Sequence, residues 1–188
     1  MMDTIDTNLL FPSVVNRSYL HDLGEEACIY LELGPNLLVM LWLDIGPAIR
    51  STSQAELKPA GLSVDAAWHV AMSNLGEQLT TGALKVGVAS FDDGEKAVFL
   101  EGHWLASAAI FHTGLYPWFS DLLGAEGLLA LVSERDSLIV FAESASTLVR
   151  QRAEQFATEA ALQSRKPFGM NLFRLEDDGP AYVGAFAA

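Results

Sequence analysis

The side chains best suited to ligate a metal are four histidines, His21, His69, His103 and His112, and one cysteine, Cys28. His103 and His112 stand nine residues apart, which puts them on opposite faces of either a helix or a strand, so they form no metal pair on one element. His69 follows Trp68 with no histidine four positions on, and no HExxH-type zinc site results. The lone Cys28 lies in the apolar stretch Ala27–Leu31. It can form neither an intramolecular disulfide nor a cysteine-based zinc site, and reads as a buried, inert thiol. Ser107, in Leu105-Ala106-Ser107-Ala108-Ala109, lacks the flanking glycines of a nucleophile elbow. Ser133 and Ser137 bracket a charged turn, where a serine hydroxyl bonds local backbone. These spacings assign no catalytic residue, no metal and no cofactor.

Two other constellations are suited to binding. Asp92, Asp93 and Glu95 surround Gly94, but without the spaced acids and distal glutamate of a calcium loop. They read as a solvated hairpin turn or as an acidic contact for a basic partner. The run Tyr116-Pro117-Trp118-Phe119 holds more rings than one short helix start can bury. Core packing takes one or two of them, and a tryptophan left exposed beside Asp121 would act as an interface anchor. Glu134-Arg135-Asp136 reads as a turn whose ions pair locally.

These residues must be positioned by hairpins and two helices. Glu26–Leu33 alternates as a half-buried strand, Gly34-Pro35-Asn36 turns, and Leu37–Leu43 continues as a fully apolar strand closed by Asp44. Gly46-Pro47 breaks it, and residues 48–61 follow as a polar connection. Ser63 is a helix N-cap before Val64, Ala67, Trp68, Ala71, Met72, Leu75 and Leu79, which recur at helical spacing; Gly76 or Gly82 ends that helix. Lys85–Ser90 and Lys96–Leu100 flank the acidic loop as a hairpin. Trp104–Phe111 is too short for its period to decide between helix and strand. A short helix opens at Tyr116 and ends at Gly124. A second hairpin pairs Leu128–Val132 with Leu138–Ala142, a long helix runs from Ser146 to Gln163, and Lys166-Pro167 stops it. Asn171–Leu175 and Ala181–Phe186 form the last pair. The expected class is α+β: a mainly antiparallel sheet built from hairpins, with two main helices packed on it.

Composition sets the outer bounds. The chain has 188 residues, 51% of them hydrophobic, with 24 acidic and 11 basic side chains for a net charge of −13. That much apolar material builds a substantial core and excludes intrinsic disorder. The acidity argues against nucleic acid and anionic membranes as partners, since phosphate binding needs a clustered positive field. Residues 1–145 carry 19 acids and 6 bases, whereas residues 146–188 carry five of each. With no signal-like N-terminus, no membrane-length apolar run and no linker-like stretch, one cytoplasmic domain over residues 1–188 is expected, with 1–25 a loosely ordered N-terminal segment.

The order of motifs is similar to the YtpQ-like bacterial family. Leu62-Ser63 leads into a helix ending Ala71-Met72-Ser73-Asn74-Leu75, an A-x-x-N-L pattern. Val132–Val140 contains R-D-x-L at Arg135-Asp136-Ser137-Leu138, and Pro167–Arg174 fits P-x-x-x-x-L-F-R. The resemblance spans residues 37–178. The family's function is unknown, so the likeness implies a bacterial α+β domain and carries no catalytic residue across. Asn74, Arg135, Asp136 and Arg174 match the pattern, with a left-handed helix cap expected at Asn74 and a turn at Arg135-Asp136.

The leading expectation is a non-enzymatic module whose acidic face binds a basic protein, most concretely an immunity- or antitoxin-type inhibitor of a toxin. Asp92, Asp93, Glu95, Glu101 and Trp118 are its expected contacts. The alternatives are a small-ligand binder or hydrolase-like enzyme assembled from His103, Ser107, His112 and Arg135, and a homo-oligomerising module.

Overall fold

A strand that is apolar at every position must be covered on both faces and hydrogen-bonded on both sides. Leu37–Leu43 imposes that demand on the first third of the chain. In the computed structural model, which describes residues 5–82, 84–91 and 94–186, the chain divides into two compact units, residues 1–81 and 82–188. Each has its own antiparallel sheet, so the class is α+β as expected, with the strands sorted into two sheets.

The first unit contains β1 (Leu10–Asn16), α1 (Ser18–Leu23), β2 (Tyr30–Glu32), β3 (Leu37–Asp44), β4 (Ile49–Ser51), α2 (Gln54–Leu57) and α3 (Val64–Thr80). β3 is central: β1 pairs with its whole length on one side, while β2 and β4 follow one another along the other. The expected first hairpin is present, with β2 shortened to three residues because 25–27 coil into a 3-10 turn. The expected loose N-terminal segment is corrected: residues 10–16 form β1, and all but Asn16 are buried. Pro12 argues against a strand unless that strand lies at a sheet edge, and β1 does. β4 and α2 likewise occupy the stretch read as a polar connection.

Helix α3 buries Ala67, Ala71 and Leu75. Ala67 and Ala71 join Leu10, Ile29, Leu41, Leu43 and Leu57 in one core cluster. Ser63 caps it as expected, accepting the Ala66 amide at 3.1 Å. The helix passes through Gly76, since burial of its apolar face outweighs about 1 kcal/mol of glycine cost. Asn74 therefore lies inside the helix and is not its left-handed cap. Its Nδ2 donates to the carbonyls of Thr7 and Leu10, both at 2.8 Å, and ties α3 to the entrance of β1.

The second unit contains β5 (Lys85–Ser90), β6 (Lys96–Glu101), α4 (Tyr116–Leu123), β7 (Leu128–Val132), β8 (Ser137–Ala142), α5 (Thr147–Gln163), β9 (Asn171–Glu176) and β10 (Gly179–Ala185). The sheet order is β10-β9-β7-β8-β6-β5. Ala97, Leu129, Leu131, Ile139, Phe141 and Leu172 point to one face and pack against Val149, Ala153 and Ala157 of α5. Register then places Val98, Leu100, Leu128, Ala130, Val140, Phe173 and Leu175 on the other face. The chain from 102 to 123 covers that face through buried Leu105, Ile110, Tyr116 and Phe119. The ambiguous stretch before α4 is a 3-10 turn, Ser107–Phe111, whose small residues are packed out of water.

Replacing Asn74 with alanine removes two hydrogen bonds and leaves the Thr7 and Leu10 carbonyls without this donor. The expected loss is about 1–3 kcal/mol by urea denaturation. Faster amide exchange over residues 10–16 should accompany it.

Candidate functional site

The β7–β9 pairing brings together two acids that lie far apart in the sequence. Leu128 pairs with Leu175 at the end of the ladder, with Glu126 two residues before the one and Asp177 two residues after the other. Both line a cleft of about 340 Å³ with Thr113, Tyr116, Pro117, Leu128 and Leu175. Among the described residues neither carboxylate has an ion-pair partner. Like charges set opposite one another repel, and a cation between them relieves the repulsion.

Local structure fixes the cleft's shape. Pro117 stands in the first turn of α4, and Gly124 ends the helix in a left-handed conformation (φ +64°) that glycine adopts without strain. Tyr116 is buried and donates its hydroxyl to the Ile110 carbonyl. Burial, reinforced by the nearby Asp178 carboxylate, pushes its phenol far above the ordinary range, so it stays protonated. Pro117, Leu128 and Leu175 supply an apolar wall suited to an aliphatic stem. The carboxylates suit the cationic head of a lysine or arginine at its end.

Trp118, the neighbour of Pro117, is 42% exposed, with its ring tilted over Phe119 at 5.1 Å between centroids. Phe119 is fully buried. The aromatic run thus divides, with Tyr116 and Phe119 in the core and Trp118 outside.

The other expected contacts separate. Asp92 and Asp93 lie outside the described residues. Glu95 is half-buried and accepts the Ser146 amide through both oxygens, at 2.9 and 3.3 Å. Its carboxylate holds the start of α5, where a negative charge also complements the helix dipole, so geometry gives it a structural task. Glu101 is exposed at the end of β6, in register with Lys85 and Ser137. Neither Glu95 nor Glu101 lines the cleft that holds Glu126 and Asp177, and Trp118 follows its lining residue Pro117 in the sequence.

Of the residues of the enzyme alternative, Ser107 and Arg135 meet through the backbone. Ser107 is 0% exposed; its amide donates to the Arg135 carbonyl, and its hydroxyl has no hydrogen-bond partner among the described residues. Arg135 pairs through Nε with Asp136 at 2.9 Å, as the local-turn reading expects. His103 accepts the Leu105 amide at Nδ1, and the buried His112 Nδ1 has no hydrogen-bond partner among the described residues. Cys28 is half-buried, and burial raises its thiol pKa, which favours the unreactive protonated form. Among the described residues no three His, Cys, Asp or Glu side chains gather to hold a metal, and no helix is long and apolar enough to cross a membrane.

A second polar group clusters at the β7–β8 turn. Ser133 Oγ donates to the Ala157 carbonyl at 2.9 Å, and the Phe168 amide donates to the Ser133 carbonyl. Asn171 Nδ2 donates to the carbonyls of Phe168 and Gly169. Glu134 is only 7% exposed, and its carboxylate accepts the Asp136 amide at 2.9 Å. The turn and its local ion pair are as expected, and Glu134 adds a buried carboxyl to them. The Arg135–Asp136 ion pair is local, while the glutamate is part of a buried junction.

No protein-family model, curated protein or solved structure matches the chain. The likeness to the YtpQ-like family therefore rests on its motifs alone.

Burial raises the Glu134 carboxyl above the ordinary range, against the lowering effect of the Asp136 amide and Ser137 bonds. A carboxyl raised in the folded state binds its proton more tightly there, so it favours folding most when the pH is low. That advantage falls as pH rises from the unfolded value through the folded one. Thermal melts across that interval should show Glu134→Gln gaining stability relative to the unsubstituted chain as pH rises. A difference that shrinks instead would reverse the assignment.

Proposed function

We propose that this protein is a non-enzymatic binding module for a basic protein, most concretely an immunity- or antitoxin-type inhibitor of a toxin. The carrying observation is the cleft that Glu126 and Asp177 share with an apolar wall, at the start of the helix that carries exposed Trp118. An arginine or lysine of the partner fits that wall with its stem and the carboxylates with its head. Trp118 supplies the large, rigid apolar contact that typically dominates interface energy. The net charge of −13 adds long-range steering toward a positive partner. Glu101 contributes from the end of β6, and Glu95 acts indirectly by fixing the start of α5.

A synthetic arginine- and lysine-rich peptide, titrated calorimetrically over a salt series, tests this reading. Glu126→Lys with Asp177→Lys should weaken binding by about tenfold or more. Trp118→Ala should cost about 1–2 kcal/mol. Glu154→Lys with Glu159→Lys makes the same charge change on α5 and should cost much less. Equal losses in both double variants would mean a diffuse acidic coat and would sink the site.

A further inference from the structure

The six-stranded sheet ends in two edges that are built differently. At one end, β10 carries Pro180 near its start and a bulge between Tyr182 and Gly184, with Gly184 at φ +152°. Proline and bulges are the usual means of preventing a strand edge from pairing further. At the other end, β5 has neither. All six of its residues, Lys85–Ser90, match Glu101–Lys96 in unbroken register. No strand among the described residues pairs with its outer side.

The open edge is also apolar on one face. Val86 and Val88 stand in register with buried Leu100 and Val98, so they extend the α4-side core surface outward. They are 51% and 46% exposed. Lys96, on that same face, donates to the Leu122 carbonyl at the end of α4. Exposed valines at alternate positions next to unpaired backbone groups form a template for one more strand.

We propose that β5 is the docking edge for an extended segment of a basic partner, which adds a seventh strand with apolar residues at alternate positions over Val86 and Val88. The choice of occupant follows from charge. Residues 82–188 carry 14 acids and 8 bases, and residues 1–81 carry 10 and 3, so both units are negative. A second copy would bring −13 against −13, whereas a cationic strand is attracted. Backbone pairing supplies affinity, the valines select residues at alternate positions, and the field selects sign. The charge preference rests on the basic-partner reading above; the edge geometry does not depend on the cleft.

The test uses the full chain and three short blocked peptides: alternating lysine and valine, alternating glutamate and valine, and the first with a central proline. The lysine–valine peptide should slow hydrogen exchange at the β5 amides that face away from β6. Val88→Lys should weaken its binding by about tenfold or more, with an unchanged circular dichroism spectrum. Glu126→Lys with Asp177→Lys should leave the β5 protection in place, which separates this proposal from the cleft. Protection by the glutamate or proline peptide equal to that by lysine–valine overturns it, as does binding with no protection in β5. A concentration-dependent dimer abolished by Val88→Lys would assign the edge to a second copy and also overturn it.

Discussion

The second unit is organised by a hairpin that is apolar on both faces. Every residue of Leu128–Val132 and all but the last of Ser137–Ala142 is buried. Such a hairpin needs strands on both sides to take its backbone hydrogen bonds and a layer on each face to exclude water. β9 and β6 meet the first need. On the faces, α5 covers one and residues 102–123 the other. Cover is thickest over the centre, so exposure grows toward β5 and β10. The open valines on β5 and the cleft beside β9 are consequences of where that cover stops.

The covering layers are held at their ends by polar contacts that connect distant parts of the unit. Glu95 accepts the amide at the start of α5, and Ser133 donates to the Ala157 carbonyl in its second half. The β7–β8 turn also accepts the Phe168 amide leading to β9. A buried carboxylate at Glu134 is tolerable because amide and hydroxyl donors surround it. The sites of greatest polarity inside this unit are therefore its joints. The Arg135–Asp136 pair beside the Glu134 joint is partly exposed and local.

What could be read in advance was what depends on local pattern. Gly34-Pro35-Asn36, Ser63, Ser146 and Gly124 act as expected because turns and caps are decided by a few neighbouring residues. β1 was not legible, because Pro12 weighs against a strand until the sheet edge that tolerates it is known. Asn74 was misplaced because its two acceptors lie more than sixty residues away. The cleft was missed for the same reason: Glu126 and Asp177 become neighbours only through β7–β9 register. The available signal was the pair Glu126…Leu128 and Leu175…Asp177, two strand ends with matching acid-to-leucine spacing. Trp118 was legible as an excess aromatic, since three of the four residues in its run are rings and one short helix has a single buried face.

The acidity and the two surface features answer different physical demands. A field from many dispersed carboxylates acts at long range but is screened beyond about 8 Å at physiological salt. It raises the rate of encounter with any positive body and cannot distinguish one basic protein from another. Discrimination requires short-range contacts whose geometry is set by the fold. Carboxylates that share a cleft with an apolar wall reward a cation on an aliphatic stem. An unpaired strand with alternate valines rewards an extended backbone of matching period. Both lie on the α4 side of one sheet, to either side of the helix that exposes Trp118. A partner that presented a cationic loop and an adjacent strand would engage the cleft and the edge on one rigid body, and such linkage multiplies weak affinities.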